Sequence, residues 1–96
     1  MELVIFARFH AREGREDEVA AAIREVVPPT RAEAGCRSIE VYGSVRDPRL
    51  FYIHSRWIDE AAFEIHAELR HTVRFLEAVQ PLIDHPLDVA RTQLLG

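Results

Sequence analysis

The chain contains no lysine and no asparagine, only one cysteine, and four glycines that stand singly. Each shortage excludes something. With lysine absent, all twelve cations are arginine, and they lie among sixteen acids for a net charge of −4. Runs such as Arg15-Glu16-Asp17-Glu18 read as solvated surface, and no basic face offers itself to the phosphates of a nucleic acid. A lone Cys36 permits no internal disulfide and suits a reducing compartment. Dispersed glycines rule out a phosphate-cradling loop, a dinucleotide fingerprint and a GxSxG elbow, so flavin or nicotinamide binding by the usual folds is not expected. No apolar run approaches the roughly 20 residues of a membrane span. MELVIFARFH also lacks the basic start, long apolar stretch and small-residue cleavage site of a signal peptide. The expectation is a cytoplasmic protein without nucleic-acid or membrane partners.

What is present is an ordinary globular composition, 48% hydrophobic and 29% charged, over 96 residues, which predicts a single domain, 1–96. Residues 2–10 read as a strand with Leu3, Ile5, Ala7 and Phe9 on one face. Val4 and Phe6 make the other face apolar too, and such a strand needs cover on both sides. A helix begins near Arg15, with Val19, Ala22, Ile23 and Val26 at helical spacing. Pro28-Pro29 predicts a kinked continuation or a second short turn, and Gly35 a left-handed cap. A strand over 36–44, the turn Arg46-Asp47-Pro48 and a third strand from Leu50 form an antiparallel hairpin. That third strand sets Phe51, Ile53, Ser55 and Trp57 opposite Tyr52, His54, Arg56 and Ile58. Asp59 caps a helix over 60–69 whose buried stripe reads as Ala62, Ile65 and Leu69. A further helix over 71–83 aligns His71, Phe75, Val79 and Leu82, and 87–95 supplies the last strand. The order βαββααβ predicts an α+β, ferredoxin-like antiparallel sheet with helices on one face. Its bare apolar face predicts a homodimer packed sheet to sheet.

The stretch from Phe51 to His71 gathers the only tryptophan, a tyrosine, two phenylalanines and three of the five histidines. Rings and near-neutral bases are the materials of a small-molecule site. Candidate bases are His54, His66 and His71, with no choice among them, and candidate pocket walls are Tyr42, Trp57 and Phe75. Each also has a structural reading: His54 hydrogen-bonded in a sheet interface, His66 half-exposed beside the buried stripe, His71 bonded to nearby backbone at a helix start, Trp57 as core. On one continuous helix His66 and His71 lie roughly 140° apart, wrong for sharing a metal, so none is expected. Cys36 has no histidine near it in sequence and reads as a small buried residue.

Taken together, the apolar first strand, Arg12-Glu13-Gly14-Arg15, Pro29-Thr30-Arg31-Ala32-Glu33 leading into Gly35-Cys36, Phe51-Tyr52-Ile53 before Arg56-Trp57, Ala61 through His66, then His71 and Pro81-Leu82, resemble the antibiotic biosynthesis monooxygenase domain family. The resemblance spans essentially the whole chain. It implies a dimeric α/β-barrel, and an oxygenase that oxidises phenolic or quinol-type aromatics with dioxygen, without metal or flavin. A histidine would deprotonate the substrate in an apolar pocket. Two positions depart from the family pattern. Ser55 stands where a glutamate is often found two residues before the tryptophan, and Leu69-Arg70 where Ser-Pro or Thr-Pro commonly precedes the second histidine. The absence of asparagine rules out the triad of the heme-degrading branch. Two other readings stay open: a non-catalytic small-molecule-binding dimer module, and an isomerase or lyase acting on a small carbonyl compound.

Overall fold

The computed structural model describes all 96 residues. Its elements are β1 (Leu3–His10), α1 (Glu16–Arg31), β2 (Cys36–Gly43), β3 (Leu50–Trp57), α2 (Glu60–Glu68), α3 (Arg70–Val79), a 3-10 turn (Gln80–Leu82) and β4 (Asp88–Thr92). The strands form one sheet in the order β2-β3-β1-β4, each neighbour antiparallel. This is the α+β, ferredoxin-like βαββααβ arrangement that the hydrophobic periods predict.

Strict alternation decides the faces. Leu3, Ile5, Ala7 and Phe9 of β1 are buried, as are Ile53, Ser55 and Trp57 of β3, and the helices pack over them. Phe6, Tyr42 and Tyr52 remain 50%, 52% and 38% exposed on the opposite face, which no helix covers. The larger core joins this inner face to Val19, Ile23, Val26 and Val27 of α1 and to Val79, Leu82 and Ile83. A smaller cluster of Leu3, Ile5 and Trp57 sits at one end of the sheet.

One expectation is resolved between its alternatives here, in favour of a continued helix, and two are corrected. Pro28 and Pro29 lie inside α1, which continues without interruption to Arg31. They fall in its last turn, where the Ala32 N–H still reaches the Pro28 carbonyl at 3.2 Å. Gly35 is not a left-handed cap, since Gly14 (φ 81°) alone has a positive φ. Gly35 is small for a different reason: a Cβ there would lie 2.5 Å from the Ala62 Cβ of α2. Finally, α2 does not bury Ile65, which is 62% exposed. The helix presents Ala62, Phe63, His66 and Ala67 inward instead, from an N-terminus fixed by Asp59, whose carboxylate accepts from the Ala62 N–H at 2.8 Å.

The end of β1 is anchored by charge. His10 Nδ1–H donates to Asp84 at 2.7 Å and Nε2–H to Asp47 at 3.1 Å, and both ring nitrogens can donate only in the imidazolium. The hydrogen bond to Asp84 accordingly raises the His10 pKa, and His10, aided by His85, lowers that of Asp84 to about 2. Asp84 also accepts from Arg49 at 2.8 Å, so the β2–β3 turn, the end of β1 and the approach to β4 are tied at one corner.

Candidate active site

Between the inner sheet face and the three helices lies a cavity of about 240 Å3. It is lined by β1 (Ile5, Ala7, Phe9), β3 (Ile53, Ser55), α1 (Val26, Thr30), α2 (Phe63, His66) and α3 (Thr72, Phe75, Leu76), among others. Pockets for drug-sized ligands start near roughly 300 Å3. This volume therefore suits one ring or two fused rings better than an extended polycycle. Twelve of its sixteen lining residues are hydrophobic, and the polar exceptions are Thr30, Ser55, His66 and Thr72.

His66 is the only titratable group in the lining, and its position follows from local structure. Asp59 starts α2, and the contact of Ala62 with Gly35 draws α2 onto the segment that follows α1. One turn beyond Ala62, His66 Nδ1 lies 2.7 Å from Oε2 of Glu33, which that same segment carries. The backbone then breaks. Leu69 (φ −69°, ψ 149°) ends α2 and caps α3 in extended conformation, so His71 swings round and places Nε2 2.7 Å from the same Glu33 oxygen. Glu33, His66 and His71 side chains are 11%, 13% and 26% exposed. The expectation that the two histidines point apart held only for a continuous helix.

A carboxylate accepts and does not donate, so both contacts assign the ring protons: His66 carries its hydrogen on Nδ1 and His71 on Nε2. In neutral His66 the lone pair is then on Nε2, which has no protein partner. The ring is held in place by Trp57 (centroids 4.6 Å apart) and Phe63 (5.5 Å), with Thr72 Oγ1 3.3 Å from Nδ1. A histidine oriented by a carboxylate on one nitrogen, with the other free beside a cavity, is arranged to accept a proton and to stabilise the resulting imidazolium. The three ligand atoms also lie within 4.8 Å of one another and include the donor types of a metal site, as do those of His10, Asp84 and His85.

The other candidates are placed as follows. His54 is on the outer sheet face, its ring 5.0 Å from that of Phe6, and does not line the cavity. Tyr42 pairs with Tyr52 on the same outer side and is also outside the cavity. Trp57 is 1% exposed and backs His66 without lining the cavity, with Nε1–H donating to Ser55 Oγ at 3.0 Å. Phe75 lines the cavity. His71 faces the Glu33 carboxylate and not the cavity. Burial raises the Cys36 thiol pKa, in keeping with an inert residue. Glu33 was missed as a site residue because its partners are 33 and 38 positions away. The available signal was an acid two residues before a glycine in a tight connection.

Gly35 supplies a test of this assembly. Gly35→Ala forces Cβ onto Ala62, and overpacking of this kind costs about 1–3 kcal/mol. A urea midpoint should fall accordingly, and the shift of α2 should separate His66 from Glu33. A midpoint unchanged from wild type would mean that the close approach is not held in solution.

Comparison with known proteins completes the description. Residues 3–78 match the family model described as antibiotic biosynthesis monooxygenase. The chain is 29% identical over 92 residues to "Putative monooxygenase YcnE" of Bacillus subtilis, covering 96% of this chain and 97% of that one. It is 29% identical over 87 residues to "Putative monooxygenase Rv0793" of Mycobacterium tuberculosis, covering 91% and 85%. The solved structure of Rv0793 superposes with a TM-score of 0.94 at 26% identity over 100% of this chain and 97% of that one. PA3566 from Pseudomonas aeruginosa superposes with a TM-score of 0.92 at 29% identity over 99% and 95%. No helix is long and apolar enough to cross a membrane.

Proposed function

This chain belongs to the antibiotic biosynthesis monooxygenase family, and from that premise we propose that it is a cofactor-independent monooxygenase for a small phenolic or quinol-type aromatic. The observation that carries the reading is His66, held on Nδ1 by Glu33 and lining an otherwise apolar cavity. His66 Nε2 takes a proton from the bound phenol or from the carbon beside its carbonyl tautomer. The anion, shielded from water by Phe63, Phe75 and Ile53, passes one electron to dioxygen. Superoxide and substrate radical combine at a ring carbon to give a peroxide. The O–O bond then breaks as the ring C–H proton is lost, leaving a carbonyl on the ring and, with the proton returned by His66, water. One oxygen atom enters the product, the other becomes water, and the substrate supplies both electrons.

The test is oxygen uptake above the uncatalysed rate by chelator-treated protein given 1,4-dihydroxynaphthalene, a two-ring quinol, with one water formed per dioxygen consumed. Proton exchange into a ketone probe with no oxygen consumed would instead place the protein among isomerases. Ligand-induced stabilisation with neither reaction would mark a binding module.

We further infer that two copies pair through the outer sheet face. Phe6, Tyr42 and Tyr52 stay exposed there, and the family's dimeric habit agrees. Light scattering at micromolar concentration should give twice the chain mass, and Phe6→Asp should give a monomer. A wild-type monomer would end the idea.

A further inference from the structure

Two clusters bring a pair of histidines and a carboxylate within ligand distance of one another, and they are not equivalent. At the corner of the sheet, Asp84 also accepts from Arg49 at 2.8 Å, and His10 is engaged on both ring nitrogens. A guanidinium on the same carboxylate opposes a metal ion, so that cluster is held as an ion-pair network. Glu33 has no such competitor, its charged partners being His66 and His71 alone. His66 Nδ1, near the end of α2, and His71 Nε2, at the start of α3, each lie 2.7 Å from one Glu33 oxygen. Two imidazoles and a carboxylate meeting at one point suit zinc, whereas magnesium and calcium prefer oxygens. A zinc–nitrogen bond is about 2.0–2.1 Å, so an ion near that point needs each ring to close in by roughly 0.6–0.7 Å. The flexible Glu33 side chain draws back to become the third ligand. His71 also lines an open groove between α1 and α3, beside Glu25, Pro29 and Arg74, which gives an ion a way in and water a fourth position.

We propose that Glu33, His66 and His71 form a zinc site whose occupancy switches off the base at the cavity wall. Neutral imidazole bound through Nδ1 must carry its hydrogen on Nε2, the reverse of the tautomer that Glu33 selects. Beside the cavity, Nε2 of His66 then donates and no longer accepts. The hydrogen that leaves Nδ1 of His66 is regained at its Nε2, and the one that leaves Nε2 of His71 at its Nδ1, so no net proton is released. Glu33 and His71 do not line the cavity, so the ion's open position faces the groove and not the cavity's occupant. The ion thus controls the base and takes no part in the chemistry. The site stands without the monooxygenase reading, and only the effect on oxygen uptake rests on it.

The experiment titrates zinc chloride into chelator-treated, dialysed protein, followed by calorimetry and by nitrogen-15 spectra of the imidazoles. Wild-type protein is expected to bind one zinc per chain, with the His66 hydrogen moving from Nδ1 to Nε2. His71→Gln and Glu33→Gln each remove a ligand, and should weaken zinc by more than the roughly 10–100-fold that loss of a supporting group costs. His85→Gln, in the other cluster, should leave zinc binding unchanged. Uptake of oxygen with 1,4-dihydroxynaphthalene should fall in proportion to the sites filled, and each ligand variant, read as its own ratio with and without zinc, should lose that sensitivity. Failure of the wild type to bind one zinc, binding that leaves the His66 tautomer as it was, or binding that His71→Gln does not weaken would overturn the proposal. Undiminished uptake at full occupancy would overturn the switch. Zinc binding with the tautomer change, in a protein that never consumes oxygen, would support the site and refute only the monooxygenase reading.

Discussion

His66→Gln is expected to lower oxygen uptake by about 10²–10⁴-fold, the usual contribution of a positioned general base, with the melting temperature nearly unchanged. Glutamine fills most of the ring's volume and can still donate to Glu33, so the fold is retained while the basic lone pair beside the cavity is lost. The loss should fall on kcat, because proton removal belongs to the chemical step and the apolar walls that bind the ring are untouched. Glu33→Gln should fall on the same step by a smaller factor. Its amide keeps a contact to Nδ1 but no longer stabilises the imidazolium that forms when His66 accepts the proton. His54→Gln, on the opposite sheet face, should leave uptake within twofold. Wild-type uptake by folded His66→Gln would remove the base and with it the proposed chemistry.

Trp57→Ala is expected to cost about 3–5 kcal/mol in urea unfolding, the range for deleting a large buried ring. Against a net stability of about 5–15 kcal/mol for a typical domain, that approaches the whole margin. The ring is 1% exposed, and with Leu3 and Ile5 it makes up the small core cluster, against which Cys36, Ala62 and Phe63 pack. It also backs His66 and donates to Ser55, so its loss opens a void behind the base and frees a buried hydroxyl. Trp57→Phe should recover much of the stability, since a ring remains in the space. A loss below about 1 kcal/mol for the alanine variant would mean that the cluster collapses around the void and is not a rigid support for the site.

How far the sequence carries can be judged from particular residues. The division of β3 into Ser55 and Trp57 against Tyr52 and His54 was readable, because side chains alternate with a period of two whatever the strand packs against. The side on which a cavity would form was not readable, and so His54 and Tyr42 remained candidates beside His66. On α2 the pattern favoured Ala62, Ile65 and Leu69, but a helix of nine residues with apolar groups on several sides does not by itself choose the face it buries. Its seat against Gly35 made that choice.

Strand and helix order, the faces of the sheet and the cap at Asp59 were determined by sequence alone, because period and local hydrogen bonding act within a few residues. The break at Leu69 has no glycine or proline beside it to announce it. The meeting of His66 and His71 on Glu33 joins residues more than thirty positions apart. Only the tertiary structure decided these, because a backbone bend without a local signal and a hydrogen-bonding partner brought in from a distant segment exist only when the helices are packed on the sheet.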